Sequence, residues 1–343
     1  MILYIGLLVL LLASVFAPKN NKTLFFISCF VLFAVAALQH PLLGKDSGMY
    51  LRSFQSLKIG GTTTISEPLW KWVATCIGKV GGNYIVFQVI YYLLVLSPVF
   101  YVIYKKSTHF QLTLFLFYAF FYYLNSYCIL RQSLAITLII VFYYVLFEKK
   151  YILASVFYIL AVLTHTSAAI AILPVAFLFI HFSKKQIIYI LIAAFIVGIL
   201  LPIEKFSFFL GPYKKLLTHP KWGLRSNTLI YSAVIAVLNA IFLFFMIPDT
   251  EKNQKSANCN ILFLGFLFMN LTQQLVLGFR ITQYFMIMQI FYYTTNIESK
   301  QQNKTKWLIA LVIFALVYFI GLLYRDSIGV VPYKPIEWIQ NLF

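Results

Sequence analysis

Few side chains in this sequence can do chemistry, and most of them sit near the ends of long apolar runs. Arg131 stands in Leu130-Arg131-Gln132-Ser133, and Arg280 precedes Thr282, Gln283 and Tyr284. A guanidinium is a planar fork of donors that matches a phosphate or diphosphate better than an ammonium does. Both arginines are therefore candidates for holding a diphosphate, against the plain alternative of an anchor that snorkels to lipid headgroups. His165, flanked by Thr164, Thr166 and Ser167, could relay a proton or donate to a phosphate or sugar oxygen, since imidazole titrates near neutrality. A hydrogen-bonded structural histidine is the alternative.

Asp46 and Glu67 are the only acids between residues 40 and 83, and either could accept the proton of an attacking sugar hydroxyl. Asp46, with Tyr50 one turn on, is the first choice. Ser66-Glu67-Pro68 also has the look of a helix start, with an N-cap, an acid and a proline ahead of an amphipathic stretch containing Trp70 and Trp72. Capping therefore competes with catalysis for Glu67. The segment 203–227 sets Lys205, Lys214, Lys215, Lys221 and Arg225 among Phe206, Phe208, Phe209, Tyr213 and Trp222. Such a basic aromatic surface either anchors the chain at headgroup level or guides an anionic lipid-linked substrate, with Arg225 its best diphosphate ligand.

The chemistry that is missing narrows the field. The only aspartates are Asp46, Asp249 and Asp326, so no Asp-x-Asp can hold a metal-bound nucleotide sugar, and no Walker loop, GxGxxG, HExxH or GxSxG appears. The four cysteines form no CxxC and no Cys/His cluster, which leaves them as packing residues. We expect neither metal nor cofactor, and a donor already activated within the membrane.

The elements that must position these residues follow from composition. Of 343 residues, 62% are hydrophobic and only 10% charged, with a mean hydropathy of +0.87. A soluble chain is roughly a quarter charged, so a bilayer must cover most of this one. The formal charge of +18 reflects topology and lipid phosphates rather than nucleic acid. The first 17 residues lack a basic leader and read as a first span, not a cleaved signal.

A crossing takes roughly 17 to 25 apolar residues, and on that measure the chain is an all-α polytopic membrane protein with about 12 transmembrane helices (range 10–14). The expected spans are 1–17, 23–39, 84–104, 109–124, 129–147, 151–164, 167–182, 186–202, 228–247, 259–277, 281–297 and 307–324. The run from Phe110 to Phe147 would be about 57 Å long as one helix, so it must turn back, at Asn125-Ser126. The run Tyr151 to His181 must break at Thr164-His165-Thr166-Ser167 for the same reason. Alternate loops carry Lys19/Lys22, Lys105/Lys106, Lys149/Lys150, Lys184/Lys185, Lys252/Lys255 and Lys300/Lys304/Lys306, and the positive-inside rule makes that side cytoplasmic. Both termini, the long segments 40–83 and 203–227, the tail 325–343 and all the arginines then face outward. The tail reads as a surface anchor. No internal repeat or soluble domain is visible, so residues 1–343 read as a single transmembrane domain.

Several segments together resemble one family. Gly44-Lys45-Asp46-Ser47-Gly48-Met49-Tyr50, Glu67-Pro68, Leu130-Arg131-Gln132-Ser133-Leu134-Ala135, His165-Thr166-Ser167-Ala168, Arg280 with Tyr284-Phe285, and Val331-Pro332-Tyr333 occur in that order. Across residues 40–335 the chain is similar to the EpsG-like, Wzy-type polysaccharide polymerases of bacterial envelopes. The resemblance implies a GT-C-like membrane glycosyltransferase of the inner membrane, serving O-antigen, capsule or exopolysaccharide synthesis. It implies transfer of a growing glycan from undecaprenyl diphosphate onto the non-reducing end of a lipid-linked repeat unit, outside the membrane. Arg131, Arg280 and Arg225 would bind the diphosphate, His165 would assist, Asp46 or Glu67 would activate the acceptor, and Tyr50, Gln132, Tyr284 and Tyr333 would support them. Expected partners are undecaprenyl-diphosphate-linked oligosaccharides, membrane lipids, and chain-length regulators and flippases of the same pathway. Another lipid-linked glycosyl- or acyltransferase, or a flippase of lipid-linked sugars, are the competing readings; a flippase would more often divide into similar halves.

Overall fold

Long apolar runs cut by Asn, Pro and charged breaks fold into helices, and the breaks become their caps. A computed structural model of the chain describes residues 1–177, 180, 182–200, 223–225, 227–246, 257–276, 278–300 and 302–336. Among these residues every regular element is helical, and extended pairing is confined to two isolated bridges, Gln39 with Pro335 and Leu224 with Leu275. Among the described residues four helices are long and apolar enough to cross a membrane: Tyr84–Lys106, Leu130–Phe147, Thr228–Phe245 and Lys304–Arg325. Six shorter apolar helices accompany them. The expected segment 203–227, apart from 223–225 and 227, lies outside the described residues, as do 337–343 of the tail.

The described chain divides into two compact units, Met1–Ala169 with Ile297–Phe343, and Ile170–Asn296. The first unit opens with α1 (Ile2–Val15), α2 (Lys22–Ala37), α3 (Ser47–Lys58), α4 (Pro68–Lys79) and α5 (Tyr84–Lys106). Asn21 and Asn83 cap α2 and α5, each accepting at 3.0 Å from the amide three residues on. Side-chain acceptors at this position satisfy amides that the helix itself leaves unpaired. Then come α6 (Phe110–Ala119), α7 (Tyr122–Asn125), α8 (Leu130–Phe147) and α9 (Tyr151–Thr164).

The Phe110 to Phe147 run does turn back, but in two steps. Every side chain of α6 is buried, and Phe121 takes a left-handed conformation, φ 70°, that ends the helix before the turn at 126–129. The run from Tyr151 breaks at His165, as the sequence predicts, and continues as a 3-10 segment, Thr166–Ile172.

The second unit contains α10 (Leu173–Phe177), α11 (Lys184–Leu200), α12 (Thr228–Phe245), α13 (Ala257–Leu271), α14 (Gly278–Met286) and the start of α15 (Gln289–Glu298). The expected span 281–297 is split between α14 and α15. Side-chain amides tie this unit together: Gln273 donates to the Phe195 carbonyl at 2.9 Å and Gln274 to that of Gly198 at 2.8 Å. Asn239 and Asn270 exchange hydrogen bonds at 2.7 and 3.1 Å. Polar groups in an apolar surround must find such partners.

The last helix, α16 (Lys304–Arg325), returns to the first unit. After it the chain folds back over residues 38–45. His40 N–H donates to the Lys334 carbonyl at 2.7 Å, Gly44 N–H to Gly329 at 3.0 Å and Lys45 N–H to Ile328 at 2.8 Å. Asp326 accepts from the amides of Val330 and Val331. The described part of the tail, up to Ile336, is thus a clasp on the protein's own backbone, and the expected surface anchor falls almost entirely on 337–343, outside the described residues.

Candidate active site

The segment 40–83, expected as a loop, holds α3 and α4, and the start of α4 delivers the central residue. Glu67 occupies the N-cap position ahead of Pro68 and has extended backbone, but its side chain makes no capping bond. Its carboxylate turns instead toward two residues far away in sequence. One oxygen, Oε2, forms a short ion pair with the Arg131 guanidinium, and the other, Oε1, lies 3.0 Å from His165 Nδ1. Ser66 Oγ donates to Oε2 at 3.3 Å.

Helix geometry explains why these two partners meet. Arg131 lies in the first turn of α8 and His165 directly follows the last turn of α9. The chain reverses between these helices at Glu148–Lys150, so the start of α8 and the end of α9 lie at the same end of the pair. His165 is held extended, φ −157° and ψ 116°, while its N–H still closes the last turn on Ala161 at 2.9 Å.

The electrostatics are those of a sealed anion between two exposed-edge partners. The Glu67 side chain is only 5% accessible, whereas those of Arg131 and His165 are partly open. Burial alone would raise the Glu67 pKa, but the hydrogen bond to His165 and the charge of Arg131 prevail and hold it at about 2. The carboxylate is therefore ionised throughout the physiological range and is a weak base. With Nδ1 facing this anion, the Nδ1–H tautomer is the one that donates to it, and in that tautomer Nε2 is an acceptor.

An aromatic floor supports the cluster. The Arg131 guanidinium carbon stands 5.8 Å from the Tyr50 ring centroid, and Tyr50 packs on Trp70 at 4.9 Å, which packs on Phe87 at 4.9 Å. Arg131 Nε and Trp70 Nε1 are buried donors with no acceptor among the described residues. Asp46 opens α3 without a capping bond, one turn before Tyr50, and Gln132 is buried beside Arg131.

The other sequence candidates have separate placements. Tyr333 donates to the Val35 carbonyl at 3.0 Å and meets Tyr4 edge-on, as part of the tail clasp. Arg225, Arg280 and Tyr284 belong to the second unit. There Arg225 stacks 3.4 Å from the Tyr231 ring centroid and donates to the carbonyls of Leu275 and Val276. Arg280 lies half-buried in the first turn of α14, and Tyr284 is buried one turn on. Glu67, Arg131 and His165 are each candidates by residue type, but the capping motif around Glu67 offers a complete local explanation that hides their junction.

At the opposite end of the first unit the lysine loops gather. Glu148 pairs with Lys106 at 3.3 Å and Lys150 at 2.7 Å, and Glu298 with Lys19 at 2.5 Å and Lys304 at 2.9 Å. The arginine-bearing cluster and the lysine loops are thus separated by the length of α8.

The sequence model of the EpsG family matches residues 22–335, a stretch that includes all three members of the cluster. No curated protein and no solved structure gives a match to the chain.

Proposed function

The chain belongs to the EpsG family, and from that premise we propose that it is a membrane-embedded polysaccharide polymerase. In this reading it is a glycosyltransferase that moves a growing glycan from undecaprenyl diphosphate onto the non-reducing end of an incoming lipid-linked repeat unit. The observation that carries the reading is the junction of Arg131 and His165 on one buried carboxylate.

The chemistry follows from that arrangement. The acceptor hydroxyl oxygen bonds to the anomeric carbon of the donor while the bond from that carbon to the diphosphate oxygen breaks. The electron pair leaves with the lipid diphosphate, and the hydroxyl proton passes to His165 Nε2. Glu67 holds the imidazole in the accepting tautomer and stabilises the imidazolium that forms, much as a buried carboxylate does in a catalytic triad. Arg131 faces the charge that grows on the departing diphosphate, and a fixed guanidinium in a partly dry site stabilises it strongly. Asp46 lines the approach of the acceptor, and the buried Tyr50 is the floor beneath Arg131. The weak basicity of Glu67 moves the proton-accepting role from that acid to the histidine.

We place this reaction on the extracytoplasmic face of the inner membrane, in a GT-C-like scaffold of about twelve crossings. Support comes from the first unit, whose lysine loops lie at the end opposite the cluster, as the positive-inside rule requires of a cytoplasmic side. Chain-length regulators and flippases that supply the lipid-linked units are the natural partners.

The test is to reconstitute the purified protein in lipid with synthetic undecaprenyl-diphosphate repeat units and resolve the products by length. A ladder of extended glycans is expected. Movement of the substrate between leaflets without extension, or acylation from a supplied acyl donor, would replace the polymerase reading with a flippase or an acyltransferase.

A further inference from the structure

The helix α4 is apolar on two faces, and the protein covers only one. Trp70, Ala74, Ile77 and Gly78 are buried. Trp72, Cys76, Lys79 and Val80 recur at helical spacing on the outside, with Trp72 66% and Val80 84% exposed. Residues four and eight apart share a helix face, so this is a continuous stripe rather than scattered exposure.

The partner helix extends the same surface. A side-chain carbon at Gly78 would lie 3.0 Å from Lys58 Cα, and Lys58 Nζ donates to the Gly82 carbonyl at 3.0 Å. The C-terminal ends of α3 and α4 therefore touch, which brings Ile59, 85% exposed, to the same tip as Val80. At this apolar tip stand Lys58 and Lys79, both exposed, and neither helix contains an acid.

We propose that the outer stripe of α4, together with the tip of the α3–α4 hairpin, lies in the anionic headgroup layer of the protein's own bilayer, with Trp72, Val80 and Ile59 inserted and Lys58 and Lys79 on lipid phosphates. A tryptophan and aliphatic side chains ringed by lysines, with no compensating acid, have the composition of a helix that lies in the interface. Charge complementarity selects an anionic lipid surface over a symmetric contact with the same stripe of a second copy, which would set the same cations against each other. The docking itself is independent of the polymerase reading. If that reading holds, it keeps Glu67 and Trp70, carried at the other end of α4, at the depth of a lipid-linked diphosphate.

The protein carries its own reporter, because Cys76 is exposed on the stripe while Cys29, Cys128 and Cys259 are buried. The full chain would be labelled at Cys76 with an environment-sensitive fluorophore, with Cys76→Ser as the labelling blank. It would then be placed in vesicles of equal parts phosphatidylglycerol and phosphatidylcholine, or of phosphatidylcholine alone. In the anionic vesicles we expect a blue-shifted emission, quenching by lipids brominated near the headgroup, and several-fold protection from aqueous iodide. Lys79→Glu, at an exposed position that leaves the packed face untouched, should weaken all three effects. Iodide quenching as complete as that of a free thiol adduct, with no response to brominated lipid, would overturn the proposal. So would a Cys76–Cys76 disulfide in place of lipid quenching, which would put a second copy on the stripe. The label reads position rather than turnover, so a protein that makes no glycan ladder can still pass this test, and one that does can fail it.

Discussion

Glu67 stays charged in a place where water barely reaches it, and it can do so only because two donors compensate its lost hydration. Replacing it by Gln removes the counter-charge of Arg131 and the acceptor for His165 Nδ1 together. Breaking a buried pair in this way costs about 3–5 kcal/mol, so Glu67→Gln should lower the thermal midpoint while Ser66→Ala, at the rim, should not. Losing the oriented base should also slow chain extension by on the order of 10² to 10⁴, the usual contribution of general base catalysis. The pH dependence has a definite sign. The folded-state pKa of about 2 lies below the ordinary carboxylate value of 4.5, so the stabilisation is fully present above 4.5 and is lost as pH falls toward 2. The stability gap between wild type and Glu67→Gln, measured by denaturation at a series of pH values, should therefore close over that window and stay constant above it. A gap that widened on acidification would mean that the carboxyl is protonated in the folded protein.

At the scale of elements, close backbone approaches fix which helices can pack. In the second unit a side-chain carbon at Gly198 would fall 2.0 Å from the Asn270 carbonyl oxygen and 2.6 Å from Gln273 Nε2. Gly198→Ala must push α11 away from α13, and overpacking of this kind typically costs about 1–3 kcal/mol; a melt of the purified variant would show it, and an unchanged midpoint would contradict the packing. Most helices were legible in the sequence, because Asn21, Asn83, the Lys pairs and Pro68 punctuate apolar runs in ways that local rules read well. The return at Phe120–Ile129 and the break at His165 were legible too, since no single helix of that length fits a bilayer. What escaped was non-local. Glu67 meets partners 64 and 98 residues away, and its neighbours Ser66 and Pro68 supply a capping explanation that needs neither. The clasp of 326–336 on 38–45 uses backbone groups, which carry no sequence signature. The pairing of α3 with α4 depends on Gly78, whose missing side chain says nothing until Lys58 is seen beside it.

At the scale of the whole molecule, the first unit separates its two sets of ion pairs. Lysines pair with Glu148 and Glu298 at one end, and Arg131 pairs with Glu67 at the other. If this polarity is the membrane topology, then in a Cys76→Ser background a cysteine placed at Thr64 should react with an impermeant maleimide in intact cells, and one at Lys149 only after the membrane is opened. The reverse pattern would turn the proposed site toward the cytoplasm. The central claim is that Arg131, Glu67 and His165 act as one catalytic unit. The most direct measurement is the initial rate of glycan extension for Arg131→Ala, Glu67→Gln, His165→Ala and the triple variant, each confirmed folded by its melt in lipid. Residues that work together lose activity non-additively, so the triple variant should be scarcely slower than the worst single one. Losses that multiply across the three, or any single variant that extends chains at the wild-type rate, would contradict the account.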